Sequence, residues 1–310
     1  EGWHRQAGSP HAEIHALQMA GSRSFGADMY VTLEPCNHFG KTPPCTDALI
    51  QHGIRRVFAG MIDPNPQVSG QGLERLRSAG VEVETGILES DCRLLNRAFI
   101  KQISSGIPFV LWKSAMTLGG KTATRNGHSQ WITGEKARQM VHRLRNRSDM
   151  VMVGIETVLA DDPQLTCRMP GGRHPHRLVL DSRLRIPLSA RVLQEAAGSQ
   201  TWIATLSDDR KKIEALADRK AVILRCRESQ GHIDLRDLMT RLGQRGIQSV
   251  LLEGGARLAG NMLRERLIDY CMIFCAPKLL GGDGLGLLSG PGATDMNKTI
   301  SLSQFCLRRI

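Results

Sequence analysis

Between Ser9 and Cys45 the sequence reads S-P-H-A-E-I-H-A-L, then, after a turn and a short apolar run, V-T-L-E-P-C-N-H-F-G-K-T-P-P-C. His11, Cys36 and Cys45 are side chains of the kind zinc prefers, and Glu13 follows the histidine by two residues. Three protein ligands leave a fourth position for water, which is the layout of a catalytic rather than a structural zinc. Zinc lowers the pKa of that water to about 7. A carboxylate beside it then has a proton to carry.

The local pattern agrees with this reading. Ser9 is a good N-cap, and Pro10 suits the first helical position, which would put His11 and Glu13 in the first turn of a helix. Val31–Leu33 reads as a short buried strand ended by Pro35, and a second helix is expected near Pro44 and Cys45. Both thiolates would then lie near helix N-termini, where negative charge is favoured. The bland alternative is a capped helix, a loop and two ordinary buried cysteines, but it makes the order of types and the placing of the prolines a coincidence. A site built on His11 and His15 leaves P-C…P-C unexplained. The order H-x-E…P-C…C is associated with zinc deaminases, in which the glutamate is the general acid/base and not a ligand.

At 310 residues two domains are expected, each long enough for its own core. No apolar run approaches the roughly 20 residues of a membrane span, and no signal peptide is visible, although the chain starts at Glu1 without methionine. Eight cysteines in a chain of this length do not form a disulfide framework. Cys92, Cys167, Cys226, Cys271, Cys275 and Cys306 show no paired spacing and are expected to be buried thiols, which points to a reducing cytoplasm. Residues 1–106 carry 10 Lys/Arg against 11 Asp/Glu, and the remainder 31 against 19. A deaminase of DNA or RNA would want the basic field around its zinc. Here it lies on the other half, which favours small phosphorylated ligands over nucleic acid.

Strand-like and helix-like stretches alternate through the first half, so a layered α/β domain with a largely parallel sheet is predicted. Strands are expected at Tyr30–Leu33, Arg56–Ala59 and Val81–Thr85, helices at Thr46–His52 and Leu73–Ala79, and one closing helix at Asp91–Ile103. Gly106-Ile-Pro108 is the natural boundary, giving domains 1–106 and 107–310. The second half has strands at Pro108–Met116, Met150–Val153, Arg177–Leu180, Thr201–Ala204, Val222–Leu224, Ser249–Leu252 and Tyr270–Cys275, with helices at Gly134–Leu144 and Leu235–Leu242. The turn at Glu253–Asn261 places two glycines between an apolar strand and a helix. That lets the backbone approach a ligand, and the helix N-terminus offers N–H groups to a phosphate. Tight turns of this kind also need glycine for sterics alone.

Nucleoside and nucleic-acid deaminases place two residues between their cysteines, whereas eight intervene here. N-H-F-G-K-T-P-P between the cysteines, T-L-E-P-C before them and D-P-N-P-Q-V-S-G-Q-G at Asp63–Gly72 resemble the deaminase half of the bifunctional riboflavin-biosynthesis deaminase/reductases, the RibD family. The resemblance continues through L-W-K-S-A-M-T-L-G-G-K-T-A, S-Q-W-I-T, T-V-L-A-D-D-P-Q-L-T, V-L-D-S and L-L-E-G-G-A-R-L-A. It implies an α/β fold in two parts: an N-terminal cytidine-deaminase-like three-layer domain, here short of its start, and a dihydrofolate-reductase-like domain that uses NADPH. By matching position it implies His11, Cys36 and Cys45 as zinc ligands and Glu13 as the catalytic residue. Ala115, Trp131, Thr157, Asp161 and Gly255, Ala256, Arg257, Leu258, Ala259, Gly260 and Asn261 would line the cofactor. Ser129, Arg145, Leu165, Arg168 and Glu253 would contact the substrate. The two arginines make chemical sense as bidentate clamps for a sugar phosphate. Lys113 reads either as an electrostatic or proton-transfer group or as a surface lysine.

The chain departs from the family at three points. Gly119 stands where the family usually has aspartate. The resemblance also implies a helix, two strands and an asparagine-containing pyrimidine loop ahead of His11, and one more strand after Ile310. The expected activity is zinc-dependent deamination of a phosphorylated diaminopyrimidine followed by NADPH reduction of its ribosyl group to ribityl, in a cytoplasmic homo-oligomer. Three rivals are a nucleic-acid or nucleoside deaminase with a basic accessory domain, a non-catalytic zinc module fused to a nucleotide sensor, and a chain in which only the reductase half works.

Overall fold

The computed structural model describes residues 1–4, 8–66 and 68–310, which fall into two units, Glu1–Gly106 and Ile107–Ile310. Gln67, within the D-P-N-P-Q-V-S-G-Q-G stretch, lies outside the described residues.

In the first unit β1 (Asp28–Val31), β2 (Arg56–Ala59) and β3 (Glu82–Thr85) form a parallel sheet in that order. Helices α1 (Ala12–Ala20), α2 (Cys45–Gln51) and α3 (Gln71–Ser78) contribute Leu17, Leu49 and Leu76 to a core with Val57 of β2, and Met29, Val31 and Val83 pack against it. These strand residues alternate, as one buried face of a pleated sheet requires. Strand β1 begins and ends earlier than Tyr30–Leu33. Its register on β2 pairs Asp28 with Arg56, whose side chains also form an ion pair. The single closing helix expected at Asp91–Ile103 is two, α4 (Glu89–Leu95) and α5 (Arg97–Ser105). They break at Asn96, whose amide donates to the Thr32 carbonyl, an alternative to continuing the helix.

The second unit is built on a seven-stranded, all-parallel sheet. Its strands are β4 (Phe109–Thr117), β6 (Met150–Gly154), β7 (His176–Leu180), β8 (Thr201–Thr205), β9 (Val222–Arg225), β12 (Ser249–Leu252) and β13 (Tyr270–Ala276), in the order β13-β4-β12-β6-β7-β8-β9. Parallel sheets are covered on both faces, so their strands read as continuous apolar runs. In β6, Met150 and Met152 enter one core with Trp112, Leu178 and Trp202, while Val151 and Val153 enter another with Leu111, Val179 and Ile203. Short ladders add β5 (Lys121–Ala123) with β14 (Leu285–Gly286), and β10 (Glu228–Ser229) with β11 (His232–Ile233). The helices are α6 (Glu135–Arg147), α7 (Ile155–Asp161), α8 (Arg210–Ala217), α9 (Leu235–Gln244) and α10 (Ala256–Arg264). Of these, α7 and α8 were not anticipated from the sequence pattern.

No helix among the described residues is long and apolar enough to cross a membrane. All eight cysteines are free. Cys92 and Cys167 are buried as expected, but Cys226 and Cys271 are half-buried and Cys275 and Cys306 exposed. The expectation of buried thiols fails for Cys275 because it sits near the end of β13, which has β4 on one side only.

Candidate functional site

Helix α1 starts at Ala12, two residues later than a Ser9 cap and Pro10 start would place it. His11 is the capping position itself, with extended backbone (φ −72°, ψ 168°), and this turns its ring toward the two cysteines instead of continuing the helix. Helix α2 begins at Cys45, entered through the extended Pro44. The Cys45 backbone N–H donates to Cys36 Sγ at 3.4 Å, so the Cys36 sulfur sits against the positive end of that helix.

His11 Nδ1 is 3.5 Å from Cys36 Sγ and 3.3 Å from Cys45 Sγ, and the three ligand atoms lie within 4.8 Å of one another. A tetrahedral zinc with ordinary bond lengths separates nitrogen from sulfur by about 3.6 Å, so the donor set fits that ion in both type and spacing. A hydrogen bond from the Cys45 thiol, helped by the Cys45 N–H, holds Cys36 down to about 5. Cys45, which gives that bond, is pushed up. Two thiols this close share one proton, and a divalent cation between them would displace it. His15 is not part of this cluster. Its Nε2 is buried without a hydrogen-bond partner among the described residues.

Glu13 is buried, in the first turn of α1. Burial pushes its carboxyl above the ordinary value, against the opposing pull of the helix backbone. A carboxylate raised in this way is a better proton acceptor than an ordinary one. The adjoining cavity, of about 250 Å³, is lined by His4, His38, Lys41 and Thr42 together with His11 and Cys36. None of those four was singled out from the sequence, although His38, Lys41 and Thr42 stand in the eight-residue segment between the cysteines. Thr42 Oγ1 lies 3.4 Å from His11 Nε2, and the Thr46 hydroxyl donates to Asn37 Oδ1 at 2.9 Å.

Glu34, of T-L-E-P-C, is a second buried carboxylate and was likewise unanticipated. It accepts backbone N–H groups from Asp63 (3.1 Å), Gly70 (2.9 Å) and Gly72 (2.9 Å), pinning the 63–72 loop beside Cys36. A Cβ at Gly72 would lie 2.0 Å from the Pro35 carbonyl, so only glycine permits this approach.

In the second unit, Glu253 leaves the end of β12 and meets Arg145 of α6, Nε to Oε1 at 2.7 Å and Nη2 to Oε2 at 3.1 Å. Arg145 also donates to the Thr166 carbonyl at 3.1 Å. Lys113 of β4 lies 3.5 Å from the same carboxylate with its side chain 18% exposed, which removes the surface-lysine alternative. Burial alone would raise the Glu253 carboxyl, but the charges of Arg145 and Lys113 outweigh it and hold it down to about 2. Nε and Nη2 of Arg145 thus face Glu253, another of the residues that the resemblance places at the substrate. Arg168 is exposed.

Strands β12 and β6 are parallel neighbours, and each runs into a helix, α10 after Gly254-Gly255 and α7 after Gly154. A Cβ at Gly255 would stand 3.9 Å from Thr157 Oγ1, and one at Gly154 3.9 Å from Leu258. The turn thus brings the Gly255–Asn261 segment beside Thr157 at the carboxyl ends of adjacent strands, where open α/β sheets bind ligands. A Cβ at Gly260 would lie 2.3 Å from the Ser289 carbonyl, so that glycine lets α10 pack against the chain. Asp161, at the end of α7, is exposed and Leu165 is buried. Ala115 lies on β4 and is half-buried. Ser129 is half-buried, and Trp131 is 64% exposed with the Arg138 guanidinium 4.8 Å from its ring centroid. Gly119 has no close contact that an added side chain would disrupt.

Comparison with known proteins covers both units. Residues 1–61 match the model of the cytidine and deoxycytidylate deaminase zinc-binding region, and residues 108–306 that of the RibD C-terminal domain. The riboflavin biosynthesis protein RibD of Actinobacillus pleuropneumoniae is 44% identical over 97% of this chain and 81% of its own length. Acinetobacter baumannii RibD superposes with a TM-score of 0.85 at 38% identity, covering 97% of this chain and 82% of that one. A diaminohydroxyphosphoribosylaminopyrimidine deaminase/5-amino-6-(5-phosphoribosylamino)uracil reductase from Thermotoga maritima does so at 0.83 and 37%, covering 96% and 82%. With a zinc-type donor set in one unit, a seven-stranded parallel sheet in the other and likeness of this extent across both, the chain belongs to the RibD family of riboflavin biosynthesis proteins.

Proposed function

We propose that the chain carries out two successive steps of riboflavin biosynthesis. Residues 1–106 would deaminate 2,5-diamino-6-(5-phosphoribosylamino)pyrimidin-4(3H)-one, and residues 107–310 would reduce the ribosyl group of the product to ribityl. The observation that carries the first step is the convergence of His11 Nδ1, Cys36 Sγ and Cys45 Sγ within 4.8 Å, with Glu13 buried beside them. Zinc held there would acidify a water in the fourth position. Glu13 would pass a proton from the attacking water to the departing amine, so that the water oxygen becomes the ring carbonyl and the amine leaves as ammonia.

For the second step, bound NADPH would supply a hydride for the ribose C1 in its open form. The chain's own part is positioning. The Gly254-Gly255 turn and the start of α10 would receive cofactor phosphate, with Ala115, Trp131, Thr157 and Asp161 as further cofactor contacts. Glu253, held ionised by Arg145 and Lys113, would face the substrate with Ser129 and Leu165. Arg168 would take the sugar phosphate.

Incubation of the full chain with the diaminopyrimidine, with and without NADPH, tests the pairing and its order. Ammonia release without NADPH, followed by NADPH consumption, is expected. NADPH oxidation that runs on the unreacted diaminopyrimidine would overturn the order of steps.

A further inference from the structure

Helix α6 presents more than Arg145 to the segment between α7 and β7. His142, one turn earlier, accepts the backbone N–H of Arg168 on Nδ1 at 3.3 Å, and its carbonyl accepts the Cys167 thiol at 3.5 Å. Asn146 Oδ1 accepts the Arg173 N–H at 2.7 Å. Positions 142, 145 and 146 share one face of a helix, so 166–173 is laid along that face by side chains of regular spacing. From its other side, His174 Nδ1 accepts the Cys167 N–H at 3.2 Å. The segment also begins at Leu165 with φ 56°, a left-handed conformation that a branched residue keeps only where its surroundings hold it.

Accepting a backbone N–H leaves the His142 proton on Nε2 and requires a neutral ring. Burial, with the charges of Arg145 and Arg168, holds this histidine below its ordinary value, so the acceptor is present at neutral pH. The Arg168 side chain itself is exposed.

We propose that His142 is a positioning residue for substrate in the reductase unit: its Nδ1 fixes the backbone at Arg168 and so sets where that guanidinium meets the sugar phosphate. This rests on the assignment of Arg168 to the substrate made above.

The test uses the full chain and steady-state NADPH oxidation with the deaminated substrate. His142→Ala is expected to raise KM for that substrate about tenfold, the factor of one ordinary hydrogen bond, with kcat changed by less than about threefold. His142→Asn, whose amide oxygen can stand where Nδ1 does, is expected to restore KM, whereas His142→Gln is not. Arg168→Ala is expected to raise KM at least as far, and adding His142→Ala to it to change little. Unchanged KM in His142→Ala, equal behaviour of Asn and Gln, or full additivity with Arg168→Ala each overturns the inference. If Arg168→Ala alone leaves KM unaltered, the fault lies in the assignment of Arg168, and the inference falls with it. Should His142→Ala fail to fold, amide exchange at Arg168 in the Asn and Gln variants reads the bond directly. Equal protection in both overturns the proposal.

Discussion

Glu253 and Arg145, 108 residues apart in sequence, meet edge to edge through two hydrogen bonds of 2.7 and 3.1 Å, with side chains only 8% and 12% exposed. Lys113 completes a cluster of two cations around one carboxylate. Removing one partner of a buried pair leaves an uncompensated charge and costs about 3–5 kcal/mol. The two deletions are not equivalent. Arg145→Met leaves Lys113 to face Glu253, whereas Glu253→Gln leaves two cations facing each other. Thermal melting is expected to rank the variants with Glu253→Gln below Arg145→Met and both below the parent. The reverse ranking would show that Lys113 does not matter to the pair.

The same carboxylate predicts an acid limit. Its ordinary value is 4.5 and the folded value is about 2, so the folded state favours the ionised form. The stability this contributes is fully present above 4.5 and is lost as pH falls toward 2. At neutral pH it does not vary. The difference in unfolding free energy between the parent and Glu253→Gln is expected to stay constant above about pH 5 and to shrink by about 3 kcal/mol on descending toward pH 2. A constant difference through that window would mean that Glu253 is not ionised by its neighbours.

These relationships mark where sequence reading stops. The zinc-type ligands were legible because their chemistry is in the residue types and their order. Strands β6 and β12 were legible as apolar runs, since both faces of a parallel sheet are covered. Helix α7 was not, because its seven residues, Ile155–Asp161, carry too little periodicity to separate a helix from a loop. The Arg145–Glu253 pair was not legible, because nothing local announces a partner 108 residues away. Glu34 escaped for a related reason: its three donors are backbone N–H groups, which exist at every position but proline.

Glu34→Gln tests that anchoring. The amide keeps the shape but replaces one acceptor oxygen with a donor aimed at backbone N–H groups, and hydrogen bonds to charged groups contribute about 1.5–3 kcal/mol each. A loss of about 2–4 kcal/mol is expected, with faster amide exchange at Asp63, Gly70 and Gly72. Zinc content should be retained, since Glu34 is not among the three clustered ligands. Unchanged exchange at those amides would show that the loop is held by something else.

Glu13→Gln separates catalysis from structure at the metal-ligand cluster. Glutamine preserves the buried volume but cannot accept or return a proton, and general acid–base groups contribute about 10²–10⁴-fold. Ammonia release is expected to fall by that factor, with zinc still bound because His11, Cys36 and Cys45 are untouched. NADPH oxidation of the deaminated substrate should be unaltered. Cys36→Ser, by contrast, removes a ligand, so zinc content and ammonia release should fall together. Full ammonia release from Glu13→Gln with zinc in place would show that the proton reaches the leaving amine by a route that bypasses Glu13.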